Sequence, residues 1–138
     1  MKKLLIVVDY QNDFVSGSLG FEGAEKLEEP IGEKIKAYHN MGSNGQVIFT
    51  MDTHDRHYMD TQEGKHLPIE HCIEGQDGWQ LYGSIADLKD SNDLVFSKPT
   101  FGSYEIGRAH VRTPVKPTHM SYVNICVNRK TNMKVWSL

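Results

Sequence analysis

Three charged residues stand at the exits of short apolar runs: Asp9 after LLIVV, Asp52 after VIFTM and Lys98 after LVFS. In an open parallel sheet the ligand crevice lies outside the carboxyl ends of the strands, so groups placed there converge although they are far apart in sequence. A carboxylate at a strand exit, beside apolar neighbours that raise its pKa by desolvation, is suited to holding or accepting a proton. Taken alone, Asp9 reads equally as the cap of a turn, and Lys98, between Ser97 and Pro99, as a solvated loop lysine. The Asp52-Thr53-His54 triplet, followed by His71 in the same polar stretch, carries a second chemistry. Residues i and i+2 of an extended segment point the same way, so one carboxylate and one imidazole can face one ion while the loop returns a third ligand. Two histidines and a carboxylate with an open position describe a catalytic divalent-metal site, with His57 as the spare ligand and His39 and His66 as solvated or hydrogen-bonding residues.

These residues need strands to carry them. Leu4 to Val8 is apolar on both faces, as a central strand of a covered parallel sheet must be. Leu27, Ile31, Ile35 and Tyr38 then recur along one face of a helix, with Pro30 tolerable only near its start and Gly42 to Gly45 ending it. Val47 to Met51 reads as a second strand, Leu81, Ile85 and Leu88 as a short helix, and Leu94 to Phe96 as a third strand. The βαβαβ order predicts parallel strands with right-handed crossovers. Residues 53–78 keep no sustained period, and a loop of that length in a compact domain is usually functional.

With 138 residues, 38% of them hydrophobic, the chain has material for one core. No run is long enough to span a bilayer, and the start lacks a cleavable leader pattern. Two cysteines, Cys72 and Cys126, make no disulfide framework. We therefore expect a cytoplasmic protein with no membrane partner. Residues 1–104 carry 9 Lys+Arg against 17 Asp+Glu, a net of −8, whereas residues 105–138 carry 6 against 1, a net of +5. The basic end lacks aromatic-basic interleaving and any recognition-helix pattern, so no nucleic-acid partner is expected.

LLIVVDYQNDF, IFTMDTHDRHY, TQEGKHLPIEHC followed by GWQLY, and FSKPTFGSY resemble, in order, the motifs of the isochorismatase-like cysteine hydrolases, nicotinamidase branch, over residues 3–104. The resemblance implies a three-layer α/β fold, a parallel sheet flanked by helices. It also implies an Asp-Lys-Cys triad with the Asp at Asp9 and the Lys at Lys98. Nicotinamidases of this type bind a metal, often zinc, through an Asp and two His, which map onto Asp52, His54 and His71. The implied reaction is hydrolysis of a small carboxamide, nicotinamide to nicotinate and ammonia, through a thioester. In it Asp9 takes the thiol proton and Lys98 lowers the thiol pKa. Isochorismate hydrolysis fits less well, because that branch does not need the metal site. Phe14 and Trp79 are candidates to pack around a flat substrate ring, although core packing explains either alone.

The family's nucleophile follows the next strand, and YVNICV offers Cys126, 28 residues after Lys98, as the candidate. Residues 105–120, EIGRAHVRTPVKPTHM, lack helical periodicity and hold Pro114 and Pro117, so neither a crossover helix nor a fourth strand is predicted there. EIGRAHV continuing into RTPV also resembles the translation of a DNA sequencing adapter. We therefore expect the domain to end near Tyr104, C-terminally incomplete, with 105–138 a foreign basic tail and Cys126 a coincidental match. Cys72 belongs to the metal loop and reads as a small buried residue. The expected consequences are little or no amidase turnover, a non-catalytic metal- or ring-binding remnant as the alternative, and association into a homo-oligomer through an exposed sheet edge.

Overall fold

The LLIVV run becomes β1 (Lys3–Val8), whose Leu4, Leu5, Ile6 and Val7 are all buried, as a strand with neighbours on both sides and cover on both faces requires. The structure, a computed structural model, describes residues 2–99 and the backbone of 119–124. Along the chain follow α1 (Asn12–Val15), α2 (Glu28–His39), β2 (Gly45–Asp52), α3 (Gln62–His66), α4 (Gly83–Leu88), β3 (Leu94–Lys98) and β4 (His119–Asn124). The strands form one sheet in the order β3-β2-β1-β4, all pairs parallel.

Helix α2 forms where the periodicity predicts it, with Ile31, Ile35 and Tyr38 buried and Leu27 in the 3-10 turn just before it. Pro30 sits in its first turn, where the missing N–H has no intrahelical partner to lose. Glu28 and Glu29 at the start, and Lys36 and His39 at the end, complement the helix dipole. Helices α2 and α4 pack together on the sheet face made by Leu5, Val7, Val47, Phe49 and Met51. The opposite face buries Leu4, Ile6 and Ile48, with Val8 and Phe96 against them. The parallel sheet flanked by helices is the expected fold class.

Three details depart from the sequence expectations. Leu81 is buried outside α4, in a short antiparallel bridge with Gln11. The long polar stretch is broken by α3 and short 3-10 turns rather than being one loop. Most consequential is β4: HMSYVN pairs with β1 from Lys3↔His119 to Val8↔Asn124, although no fourth strand was predicted. A central strand as apolar as β1 recruits a neighbour on each side, and strand formation depends more on such context than on the incoming segment's own pattern. The predicted absence of a crossover helix, and the nature of most of residues 105–138, lie outside the described residues.

Among the described residues β3 is a sheet edge, with Leu94 and Val95 exposed at 45% and 39%. Among the described residues no helix is long and apolar enough to cross a membrane.

Candidate functional site

Asp9 follows β1 and Lys98 ends β3, and their side chains meet, with Lys98 Nζ 2.6 Å from Asp9 Oδ2. The two strands are not neighbours, because β2 lies between them. Asp9 reaches the pair by leaving strand geometry, at φ 52°, a left-handed conformation uncommon for a residue with a side chain. There Thr50 holds it. The Thr50 hydroxyl donates to Asp9 Oδ1 at 2.7 Å, and the Asp9 N–H reaches the Thr50 carbonyl at 3.0 Å and its Oγ1 at 3.2 Å. Burial pushes the Asp9 carboxyl above its ordinary pKa, outweighing the opposite pull of Lys98. Asp9 therefore takes up a proton more readily than an ordinary carboxylate.

Asp52 ends β2 and His54 follows it, and the loop brings His71 back to them through an isolated parallel bridge between His54 and Ile73. The His54 N–H donates to the Cys72 carbonyl, and the Glu74 N–H to the His54 carbonyl, both at 2.9 Å. Asp52 Oδ2 lies 3.2 Å from His54 Nε2 and 3.3 Å from His71 Nε2. A fourth group joins them: Glu63 Oε1 lies 3.9 Å from His54 Nε2, and one ligand atom from each of the four residues falls within 4.8 Å of every other. Glu63 was missed in the sequence, and the expected spare ligand His57 points away, its side chain 80% exposed. The available signal was Thr61, whose side chain accepts the Gly64 N–H and starts α3, setting Glu63 in its first turn.

The donor set fits a divalent ion. The His71 Nδ1–H donates to the Ile69 carbonyl at 2.8 Å, which leaves Nε2 with its lone pair facing the cluster. Both His71 Nε2 and Glu63 Oε1 are buried without a hydrogen-bond partner among the described residues, an arrangement a cation would satisfy. Burial raises the Asp52 pKa, but the two imidazoles outweigh it and hold this carboxyl below the ordinary range. Tyr58, fully buried, sets its ring 4.6 Å from His54 and 4.9 Å from His71 and fixes its hydroxyl on the Leu67 carbonyl.

Two residues of the YQND segment, not singled out from sequence, lock this assembly. Gln11 Nε2 donates to the carbonyls of Asp52 at 2.9 Å and Trp79 at 2.8 Å, while Oε1 accepts the Asp52 N–H at 2.8 Å. Asp13 Oδ2 accepts the Cys72 N–H at 2.7 Å, holding Cys72 at φ 48° beside His71. A Cβ at Gly78 would overlap the Asp13 carboxylate, so a larger residue there would push that carboxylate away from the Cys72 N–H. Phe14 is buried with its ring centroid 5.6 Å from that of His71, and Trp79, half-buried, packs on the main core with its indole N–H on Thr53. Cys72 is fully buried, and burial pushes its thiol far up, as suits a structural cysteine. Cys126 lies outside the described residues, two positions after Asn124, which pairs with Val8.

A family model described as the isochorismatase domain matches residues 3–109, five residues beyond the expected limit. The uncharacterized isochorismatase family protein PncA of Bacillus subtilis (strain 168) is 34% identical over 96 residues, 67% of this chain and 51% of that protein. The chain thus spans about half the length of this curated relative. Among solved structures, the nicotinamidase/pyrazinamidase PncA from Bacillus subtilis is similar with a TM-score of 0.73 at 27% identity, over 91% of this chain and 72% of that one. A pyrazinamidase of Pyrococcus horikoshii in complex with zinc shares the fold, with a TM-score of 0.69 at 21% identity, over 90% of this chain and 72% of that one.

Proposed function

The chain belongs to the isochorismatase domain family, and on that premise we propose that its strand-end site hydrolyses a small aromatic carboxamide, nicotinamide to nicotinate and ammonia, through a cysteine thioester. The observation that carries this reading is the buried Asp9–Lys98 pair beside the converging Asp52, His54, Glu63 and His71. Cys126 was expected to be a coincidental match in a foreign tail; because β4 pairs with β1 and the chain reaches this cysteine two residues past the partner of Val8, we instead assign the nucleophile to it.

Asp9 takes the proton of the Cys126 thiol, and Lys98 stabilises the resulting thiolate. Sulfur bonds to the amide carbon, and backbone N–H groups near the nucleophile stabilise the oxyanion. The C–N bond then breaks as Asp9 returns its proton to the leaving nitrogen, releasing ammonia. Water next gives a proton to Asp9 and its oxygen to the thioester carbon. The C–S bond breaks, the acid leaves, and the thiol regains its proton from Asp9. Asp52, His54, Glu63 and His71 would hold a divalent ion, for which we propose zinc, the ion bound by the Pyrococcus horikoshii protein. When bound, it supplies a Lewis acid that orients the substrate's ring nitrogen. Phe14 and Trp79 are assigned as walls for the flat ring.

We further place the enzyme in the cytoplasm, which keeps both thiols reduced, and assign copy-to-copy association to the β3 edge. The deciding assay is ammonia release from nicotinamide in the presence of zinc, with Cys126→Ala as control. Slow release abolished by that substitution is the expected result. Release at or below the control rate, with nicotinamide still bound in calorimetry, rejects the hydrolase in favour of a ring-binding remnant.

A further inference from the structure

Thr50 is a polar residue, fully buried, in the middle of an apolar strand between Phe49 and Met51. Its place in the sheet explains what it does there. Lys98 and Asp9 close their ion pair across the end of β2, and Thr50 is the β2 residue in register with Val8, immediately before Asp9. The hydroxyl touches Asp9 at two points, donating to Oδ1 and accepting the backbone N–H. Each carboxylate oxygen therefore has its own partner: Thr50 on Oδ1 and Lys98 on Oδ2.

We propose that Thr50 is a positioning residue for proton transfer, its hydroxyl fixing the plane of the Asp9 carboxylate that Lys98 alone leaves free to turn. This rests on the reading of Asp9 as the general base. The terminal torsion of an aspartate is broad, and an ammonium on a flexible four-carbon stem is a point charge without directional preference. Threonine is stiff at χ1, so in a fully paired strand its oxygen is a fixed point. By binding the N–H and the carboxylate of the same residue, it holds the left-handed backbone of Asp9 and the orientation of its side chain together. The lone pairs left over on the two oxygens then face one fixed direction, as a base that must meet a thiol and later a water requires.

The test is a 13C NMR titration of the Asp9 carboxyl in the full chain, with zinc at one concentration throughout, for the native protein, Thr50→Val and Thr50→Ser. Among the described residues the ionisable groups that act on Asp9 are Lys98, Asp52 and Cys72, and these, like Cys126, are unchanged in all three. Thr50→Val keeps the shape and removes the donor, so Asp9 is expected to gain proton affinity on the order of tenfold. Thr50→Ser keeps the donor and is expected to restore the native midpoint. Thr50→Ala, a second hydroxyl-free variant, should move in the same direction as Thr50→Val. Coincident midpoints in all variants overturn the proposal, even if ammonia release proves to depend on Cys126. A shift confined to the hydroxyl-free variants, in a chain that releases no ammonia, keeps the Thr50–Asp9 coupling and rejects the hydrolase reading.

Discussion

Lys98 reaches across the end of β2 to set its ammonium 2.6 Å from Asp9 Oδ2, and both side chains are largely shielded, at 7% and 15% exposure. Removing one member of such a pair leaves the other charge without compensation, whereas replacing both removes the problem. Asp9→Asn and Lys98→Met should each lower stability by about 3 kcal/mol, and the double variant should recover most of that loss. Urea unfolding of the four proteins measures the coupling. Additive losses in the double variant would mean that the two charges do not support each other.

The raised pKa of Asp9 carries a pH signature of definite sign. Because its folded-state pKa lies above the ordinary 3.8, its contribution to stability is fully present below that value and is lost as pH rises through the folded pKa. Lys98 opposes the rise, so Lys98→Met should widen this window upward. Urea midpoints of Lys98→Met and of the double variant, followed from pH 4 to 8, should diverge with increasing pH. Parallel profiles would show that Asp9 titrates normally.

At the four-residue cluster, one divalent ion per chain is expected. Asp52→Ala and His71→Ala should abolish binding, and Glu63→Gln should weaken it by at least about tenfold, since losing even a supporting partner costs 10- to 100-fold. His57→Ala should leave it unchanged. Metal analysis after dialysis against zinc reads this out, and equal, negligible metal in every protein would reject the site. Zinc at about 100 times its Kd should also stabilise the native chain by about 2.7 kcal/mol.

What was legible in the sequence had a local cause. Continuous apolar runs announced β1 and β2, the spacing of Ile31, Ile35 and Tyr38 announced α2, and strand exits located Asp9, Asp52 and Lys98. The rest depended on what lies across the fold. β4 forms because β1 has a second side to pair, which HMSYVN does not reveal by itself. Glu63 enters the cluster only because α3 turns it toward His54, while His57, closer to His54 in sequence, faces solvent. The left-handed turn at Asp9 is likewise not specified by its residue type, since aspartate adopts that conformation only occasionally.

Gln11 provides the sharpest test of how the site is held together. Its amide satisfies three backbone groups at once, the N–H and C=O of Asp52 and the C=O of Trp79, and it is fully buried. It thereby ties the segment after β1 to the end of β2 and to the turn at Trp79 that precedes α4. Gln11→Leu fills nearly the same volume but leaves all three groups without partners, and one buried unsatisfied group costs roughly 1–3 kcal/mol. A loss on the order of 3 kcal/mol is expected, together with weaker zinc binding, because Asp52 loses the contacts that fix its backbone. Gln11→Glu keeps the acceptor for the Asp52 N–H but places a carboxylate against two carbonyls, so it should be at least as damaging near neutral pH and recover in acid as that carboxyl protonates. Urea unfolding and zinc titration of both variants at pH 5 and pH 8 separate these effects. If Gln11→Leu matched the native protein in stability and zinc affinity, the clamp would be a bystander and the position of Asp52 would be set by its strand alone.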